Sequence, residues 1–263
     1  MTPVLQSFLP FAPWADPRKR RLPGILPLDM DDWLQVDDAY AGQMALREAL
    51  LRDRERDVIG ITDRAQPAVD EMYEMVLDRL PAGFQRSGHE VICPDGRAVT
   101  LDPQRPLQVL GRIVQEDLYL MEEDGAGEHL LSAAILCFPA GWTLAEKLGR
   151  PMMRIHLPVE KYTEDVGKRV QRLLNAVSPD TPLWRANAHQ SRAPLFNPLR
   201  EDAPKDAANQ GHMPFIRSER QCLLRLPRTR AVLFSIHTYL VRIESLSAEQ
   251  TAALQEFPIH RAD

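Results

Sequence analysis

Two β-rich runs near the end of the sequence constrain the fold more than any other feature. The segment RSERQCLLRLPRTRAVLFSIHTYLVRI, residues 217–243, is divided by the turn-forming residues 227–230, Pro-Arg-Thr-Arg. β-Branched and aromatic residues on both sides of a short turn predict a long antiparallel hairpin. Because an isolated hairpin cannot bury its apolar side chains, the chain should contain a larger antiparallel sheet.

Further strands are predicted in the middle of the chain. From Glu90, EVIC and RAVTL flank Pro-Asp-Gly, which favours the tight turn of a short hairpin. Three apolar runs follow: LQVLGRIV, EDLYLME and HLLSAAILCF, the last two separated by an acidic loop that contains glycine. We expect all three to be strands of an antiparallel meander, which makes a sheet of five or more strands.

Helices are predicted around this sheet, so the fold class is α+β. Residues 1–36 are rich in proline and should form an extended N-terminal arm around a single domain, residues 37–263. TLAEKLG should form a single helical turn. Longer helices are expected from Asp37 or Asp38 to about Arg56, from Pro67 to Leu80, from Thr163 to Val177, and after Ser247, where Gln250 completes a capping box.

The composition argues against several kinds of partner. The formal net charge of -5 and the pI of about 5.8 give no electrostatic reason to expect nucleic acid binding. Cys93, Cys137 and Cys222 are never spaced as Cys-x-x-Cys, which argues against a disulfide framework, a zinc site or an iron–sulfur cluster. No apolar run approaches the roughly 18 residues needed to span a bilayer. We therefore expect a cytoplasmic protein that binds neither nucleic acid nor a membrane.

The stretch CFPAGWTLAEKLGRPMMRIHLPVEKY, residues 137–162, is the first candidate site. It places Trp142 after a proline- and glycine-containing turn, Glu146 and Lys147 on the helical turn, and His156 between two aliphatic residues. From a strand, such an imidazole can point into an apolar cavity and bind haem iron. From the residues alone, His156 is either that ligand or a hydrogen-bonded core histidine.

Two strand segments supply further candidates by alternation. In WRANAH, residues 184–189, Arg185 and Asn187 lie on one side of an extended segment, where the arginine can bind a carboxylate or join a surface ion pair. His237 and Tyr239 likewise share one face of the last strand, where either can reach a pocket or pack in the core.

The entry to the final hairpin is rich in arginine. Arg217, Glu219, Arg220 and Gln221 follow one another closely, and Arg225 continues the series. This pattern predicts an ion-pair network around Glu219, which is either structural or a site for a carboxylate. No phosphate-binding glycine loop, Gly-x-Ser-x-Gly elbow or His-Glu-x-x-His motif is present, so the chemistry must come from scattered residues.

Three motifs together resemble a known family. They are LCFPAGWTLAEKLGRP followed by IHLPV, the Arg-Ala-Asn of WRAN, and RSERQCLLRLPRTRAVLFSIHTY, and the resemblance extends from about Leu22 to Leu246. The family is that of the haem-containing catalytic subunit of haem-dependent oxidative N-demethylases, also described as the alpha subunit of dimethylamine monooxygenase. The resemblance implies a PAS-like domain, with a curved antiparallel sheet and flanking helices, that encloses haem b. It also implies oxidative demethylation of a small secondary or tertiary amine by O2, which releases formaldehyde. The electrons for this reaction would come from a separate flavin and iron–sulfur reductase.

The resemblance assigns expected roles to the candidate residues. His156 is the expected axial ligand of the haem, and Cys137 is the alternative. Glu146 is expected to hold the cationic amine as the catalytic, substrate-binding residue. The expected propionate and pocket residues are Lys147, Arg185, Asn187, Arg220, His237, Tyr239 and Trp142.

Two departures from the family pattern, at Ala188 and His237, suggest a changed amine preference. Two other functions are compatible with the same residues: a haem-binding PAS-like sensor and a non-catalytic assembly subunit.

Overall fold

A computed structural model describes residues 3–20, 23–125, 127–156, 163–202 and 212–259, in which strands form two antiparallel sheets. The strands are Leu26–Pro27 (β1), Ile59–Ile61 (β2), Gln85–Ser87 (β3), Glu90–Ile92 (β4), Ala98–Thr100 (β5), Asp117–Glu123 (β6), His129–Ile135 (β7), Leu183–Ser191 (β8), Phe215–Arg225 (β9) and Val232–Arg242 (β10). The larger sheet has seven strands in the order β1-β8-β9-β10-β6-β7-β2, and the smaller has the order β3-β4-β5.

Helices surround the larger sheet, so the predicted α+β class is confirmed. The α-helices are Pro17–Arg20 (α1), Tyr40–Asp53 (α2), Glu55–Val58 (α3), Gln66–Asp78 (α4), Pro106–Ile113 (α5), Leu144–Lys147 (α6), Met152–Ile155 (α7), Glu164–Ala176 (α8) and Ala248–Glu256 (α9). The predicted capping box of the last helix is present between Ser247 and Gln250. No helix of the described ranges combines the length and the apolar composition that crossing a bilayer requires.

The long hairpin predicted from the sequence forms the middle of the larger sheet. Strands β9 and β10 pair without a break from Phe215↔Arg242 to Arg225↔Val232. β9 also pairs with β8, and β10 with β6, so both strands of the hairpin are internal. The prediction of a sheet with five or more antiparallel strands is therefore confirmed.

The prediction of a strand at LQVLGRIV is wrong, because these residues belong to the helix α5. Pro106 occupies the first helical turn, where its missing amide hydrogen costs nothing, and Leu107 and Leu110 are buried at helical spacing. A Cβ at Gly111 would lie 3.1 Å from side-chain atoms of Ile135 and Leu51. Glycine therefore lets this helix approach both α2 and β7 closely.

The two faces of the larger sheet contact different helices. Neighbouring residues of a strand point to opposite faces, and residues paired across strands share a face. Leu118, Leu120 and Leu233 pack in the main core with α2, α4 and α5, and we call this side the helical-core face. The opposite side, which we call the α6–α8 face, carries Tyr119, Met121, Leu223, Phe234 and Ile236, packed with residues of α6, α7 and α8.

The N-terminal arm is attached through buried side chains. The indole Nε1 of Trp33 donates to Ser235 Oγ at 2.8 Å, and that of Trp14 donates to the Gln250 carbonyl at 3.0 Å. His237 lies behind the arm, with its ring nitrogens 3.0 Å from Asp37 and 3.1 Å from Glu116. Burial alone would lower the pKa of His237, but these two carboxylates outweigh it and raise the pKa to about 9.

The raised pKa of His237 predicts a loss of stability in mild alkali. Below about pH 6.5 both folded and unfolded chains carry the proton, and the stabilisation is complete; it is lost as the pH rises towards 9. We expect the free energy of unfolding to fall by roughly 1 to 2 kcal/mol between pH 6.5 and 8. Urea unfolding at several pH values measures this slope.

A His237→Gln variant keeps neutral hydrogen-bonding groups and should show a nearly flat profile over the same range. Replacing the exposed His89 with glutamine provides a control that should keep the slope of the original protein. An unchanged slope in His237→Gln would contradict the assignment.

Candidate functional site

The residues of the first candidate cluster pack against the α6–α8 face of the sheet. Gly141, with φ of +77°, reverses the chain after β7, and the short helices α6 and α7 follow. Leu144 of α6 and Ile155 of α7 are buried with Tyr119 of the sheet, and Trp142 packs against the same group. The segment therefore lies over the part of the larger sheet formed by β2, β7, β6 and β10.

His156 lies at the C-terminal end of α7, and the prediction that it projects from a strand is wrong. Residues 157–162 of the same stretch lie outside the described residues. The His156 Nδ1 atom is 2.9 Å from the Met152 carbonyl oxygen. Because a carbonyl can only accept, Nδ1 carries the hydrogen of the neutral ring and Nε2 carries the lone pair.

The surroundings of His156 favour its neutral form. Burial lowers its pKa, and the positive charge of Lys147 lowers it further, although the hydrogen bond to the Met152 carbonyl acts in the opposite direction. A neutral imidazole with a defined tautomer is the form that binds iron. The position therefore has the chemistry of a metal ligand.

Glu146 and Lys147 are both half-buried, and they have different contacts. The Glu146 carboxylate accepts the Thr143 hydroxyl hydrogen and, at 3.2 Å, the backbone N–H of Glu201. The Lys147 Nζ atom lies 4.4 Å from the centre of the Trp142 ring. Burial lowers the pKa of Lys147 to about 8.

The second cluster lies on β8 and β9, on the α6–α8 face. Strand pairing sets Arg185 opposite Gln221 and Asn187 opposite Glu219. The Glu219 carboxylate accepts hydrogen bonds from Asn187 at 3.1 Å, Gln221 at 3.0 Å and Arg217 at 3.3 Å. The predicted network around Glu219 is therefore confirmed for these partners.

The charge of Glu219 is held by its neighbours. Burial alone would raise its pKa, but the charge of Arg217 and the hydrogen bonds from Asn187 and Gln221 lower it overall. The carboxylate therefore stays ionised although Glu219 is only 9% exposed. Its negative charge therefore has a fixed position on the paired strands β8 and β9.

Arg185 has no such partner. Its Nε atom is buried and makes no hydrogen bond with any described residue, and no ion pair of Arg185 is found in the same ranges. Burial lowers its pKa, while the more distant charge of Glu219 raises it. A buried donor without an acceptor is rare in folded proteins, and a guanidinium in this state is chemically suited to an anionic group.

Arg220, His237 and Tyr239 do not join Arg185. They lie on the helical-core face, as shown by the pairing of Arg220 with Ala186 and His237. Arg220 donates to the Trp33 carbonyl and, at 2.8 Å, to Asp32 of the arm. The predicted shared face of His237 and Tyr239 is confirmed, since their rings are 4.6 Å apart.

The two departures from the family pattern lie away from Arg185. His237 is on the opposite face, and Ala188 packs in the apolar cluster that contains Tyr239. Ala188 and His237 are therefore not on the face that carries Arg185. Adjacent residues of a strand point to opposite faces, and the sequence does not indicate which face holds the site.

Cys137 also lies apart from the first candidate cluster. It is fully buried in the main core, and its backbone N–H donates to Asp117 at 2.7 Å. Burial raises the pKa of its thiol to about 12, so the thiol stays protonated near neutral pH. His156, by contrast, follows a helix that packs on the α6–α8 face.

Tyr119 and His189 were not predicted as site residues. Tyr119 is 6% exposed and its ring lies 6.1 Å from that of Trp142 and 5.9 Å from that of Phe234. His189 continues the alternation of Arg185 and Asn187, which is the signal that could have found it. Tyr119 carries no comparable signal, because its neighbours come from distant parts of the chain.

The α6–α8 face of this α+β protein thus carries the candidate site. It combines a neutral histidine, an arginine without an acceptor and a set of aromatic rings. A family model described as "Haem-dependent oxidative N-demethylase, alpha subunit-like" matches residues 24–257. The chain belongs to this family, whose name indicates an oxidoreductase subunit that depends on haem and assembles with other subunits.

The residues of this face fit a haem. Within the described ranges, no group of three or more His, Cys, Asp and Glu side chains is arranged to hold a metal ion by itself. Haem iron needs only one or two protein ligands, because the porphyrin supplies the others. Arg185 has the chemistry that a propionate requires, and His156 has the chemistry of an iron ligand.

Proposed function

We propose that this chain is the haem b-binding subunit of an oxidative N-demethylase that acts on a small secondary or tertiary amine such as dimethylamine. The observation that carries the proposal is the tautomer of the His156 imidazole, whose Nδ1–H is bound to the Met152 carbonyl so that Nε2 is the basic nitrogen. The family match supports the same chemistry. The setting is the cytoplasm, where the three buried free cysteines stay reduced.

The overall reaction consumes one N-methylamine, one O2, two protons and two electrons, and it yields one demethylated amine, one formaldehyde and one water. One oxygen atom enters a methyl C–H bond, the C–N bond then breaks as the nitrogen gains a proton, and the other oxygen atom leaves as water. The haem, when bound, supplies the iron that activates dioxygen. A separate reductase subunit with flavin and an iron–sulfur cluster supplies the two electrons. The chain itself has to hold the haem, orient the amine and keep bulk water away from the reacting methyl group.

The haem-holding roles follow from charge and burial. His156 would hold the haem iron, and Cys137 is the less favoured alternative because its thiol is protonated and packs in the main core. Arg185 binds a propionate, which provides the acceptor that its buried Nε atom lacks. Lys147 would be a second cation for a propionate once it leaves the ring of Trp142. Asn187 borders the pocket through its contact with Glu219.

Glu146 is proposed to attract the substrate while it is still an ammonium ion. Its carboxylate accepts from Thr143 and from the Glu201 backbone, and each oxygen retains a second lone pair for a further donor. The ammonium must lose its proton before the methyl group is oxidised, and the same carboxylate can accept it. A Glu146→Gln variant should therefore raise KM for the amine and lower kcat.

The proposal is tested with the purified full chain. Haem addition should produce a stoichiometric Soret band, and dimethylamine, O2 and a reductant should yield equal amounts of formaldehyde and methylamine. Absence of a Soret band would overturn the haem assignment and favour an assembly subunit. A Soret band without formaldehyde from any N-methylamine tested would overturn the enzyme assignment and favour a sensor.

A further inference from the structure

The ring of Trp142 already binds a cation in this structure. The ammonium of Lys147 lies 4.4 Å from the ring centre, within the distance of a cation–π contact. Lys147 is half-buried, and no carboxylate of the described residues lies within 4 Å of its Nζ atom. The carboxylates of Glu201 and Glu146 act on this ammonium only from a distance. The ammonium is therefore held by the indole rather than by an ion pair.

Two further rings extend this aromatic surface. Tyr119 lies 6.1 Å from Trp142 with an interplanar angle of 33°, and Phe234 lies 5.9 Å from Tyr119 at 45°. Tyr119 and Phe234 are paired directly across β6 and β10, so the sheet fixes their positions. Trp142 and Phe234 are only half-buried, which leaves part of this aromatic surface accessible to solvent. We call these three residues the aromatic wall.

An aromatic wall beside a buried lysine suits an alkylated ammonium ion. The faces of aromatic rings carry partial negative charge, and they attract N-methyl groups, which share the positive charge of the nitrogen. Such groups need little hydration, so they lose less on leaving water than a primary ammonium does. Burial lowers the pKa of Lys147 to about 8, which indicates that its ammonium is poorly solvated and is held only weakly there.

We propose that the aromatic wall of Tyr119, Trp142 and Phe234 is the subsite for the N-methylated ammonium group and that Lys147 is an internal occupant displaced when this ligand binds. The identity of the ligand as a substrate rests on the proposed demethylase function. Lys147 thereby sets the specificity of the site. An incoming cation displaces Lys147 only if it binds the rings better than a primary ammonium does. Tertiary and secondary N-methylamines meet this condition, and ammonia or unmethylated amines do not.

The proposal is tested with tetramethylammonium, whose charge does not change with pH, by isothermal calorimetry on the haem-loaded full chain. A Lys147→Met variant keeps the length of the side chain without its charge and should bind tetramethylammonium about three to ten times more tightly than the unchanged protein. Trp142→Phe keeps an aromatic ring with a weaker face and should bind it several times more weakly. Lys168→Met, at the exposed Lys168 of α8, is the matched control and should change nothing.

The outcomes separate this inference from the proposed function. If the protein releases formaldehyde but neither variant changes tetramethylammonium affinity, the aromatic wall is not the ammonium subsite and the demethylase assignment stands. If no haem binds, the same titrations of the full chain as purified still test the wall. An intact near-UV spectrum of Trp142→Phe distinguishes loss of the contact from loss of the fold, and equal affinities for methylammonium and tetramethylammonium would overturn the specificity role of Lys147.

Discussion

Replacing Arg47 with methionine should lower the free energy of unfolding by roughly 3 to 5 kcal/mol. The guanidinium is fully buried, donates to Asp117 at 2.7 Å and also donates to the carbonyls of Gly111, Gln115 and Glu116. Methionine fills much of the same volume but leaves Asp117 as a buried charge without its cation. The cost comes mainly from that stranded carboxylate and from three carbonyls without donors.

A matched control for this variant lies on the same helix. Arg52 pairs with Asp53 at 2.8 Å, but its side chain is 66% exposed, so Arg52→Met should change stability by no more than about 0.5 kcal/mol. Urea unfolding followed by circular dichroism compares the two variants under the same conditions. Equal stabilities would show that the buried network of Arg47 contributes no more than a surface ion pair.

Local signals predicted most of the elements, and long-range contacts account for the failures. The Pro67 helix, the two hairpins and the capping box at Ser247 each depend on neighbouring residues, and all are confirmed. Residues 107–114 have an apolar pattern compatible with either a strand or a helix, and packing of Gly111 against Ile135 favours the helix. The buried pair of Arg47 and Asp117 was not predicted, since nothing local in the sequence indicates that these two residues lie side by side.

The candidate site was predictable only in part for the same reason. Alternation correctly placed Arg185 and Asn187 on one face of a strand. Alternation could not show that Arg220 lies on the other face, because that depends on the register between β8 and β9. Tyr119 joins Trp142 only after β6 pairs with β10 and the α6–α7 segment returns over the sheet. The candidate histidines and arginines could therefore be identified from the sequence, but their relative positions in the fold could not.

Replacing His156 with alanine should remove the axial ligand and change the Soret spectrum of the haem-loaded protein. We expect haem affinity to fall at least about tenfold, since an iron–imidazole bond and its hydrogen-bonded support are lost together. Added imidazole should occupy the space left by the side chain and restore the spectrum without restoring the covalent link to α7. This rescue separates loss of a ligand from general damage to the fold.

Two further variants make the assignment specific to His156. His189 is also kept neutral by burial and lies on the face that carries Arg185, so His189→Ala tests whether any neutral imidazole of this side affects the iron. Cys137→Ala tests the thiolate alternative. Both should keep the spectrum of the original protein, because the Cys137 thiol is protonated and only His156 has its tautomer held by a backbone carbonyl within the described residues. A spectrum changed by Cys137→Ala and unchanged by His156→Ala would reverse the assignment and make the iron thiolate-bound, with the haem in contact with the main core.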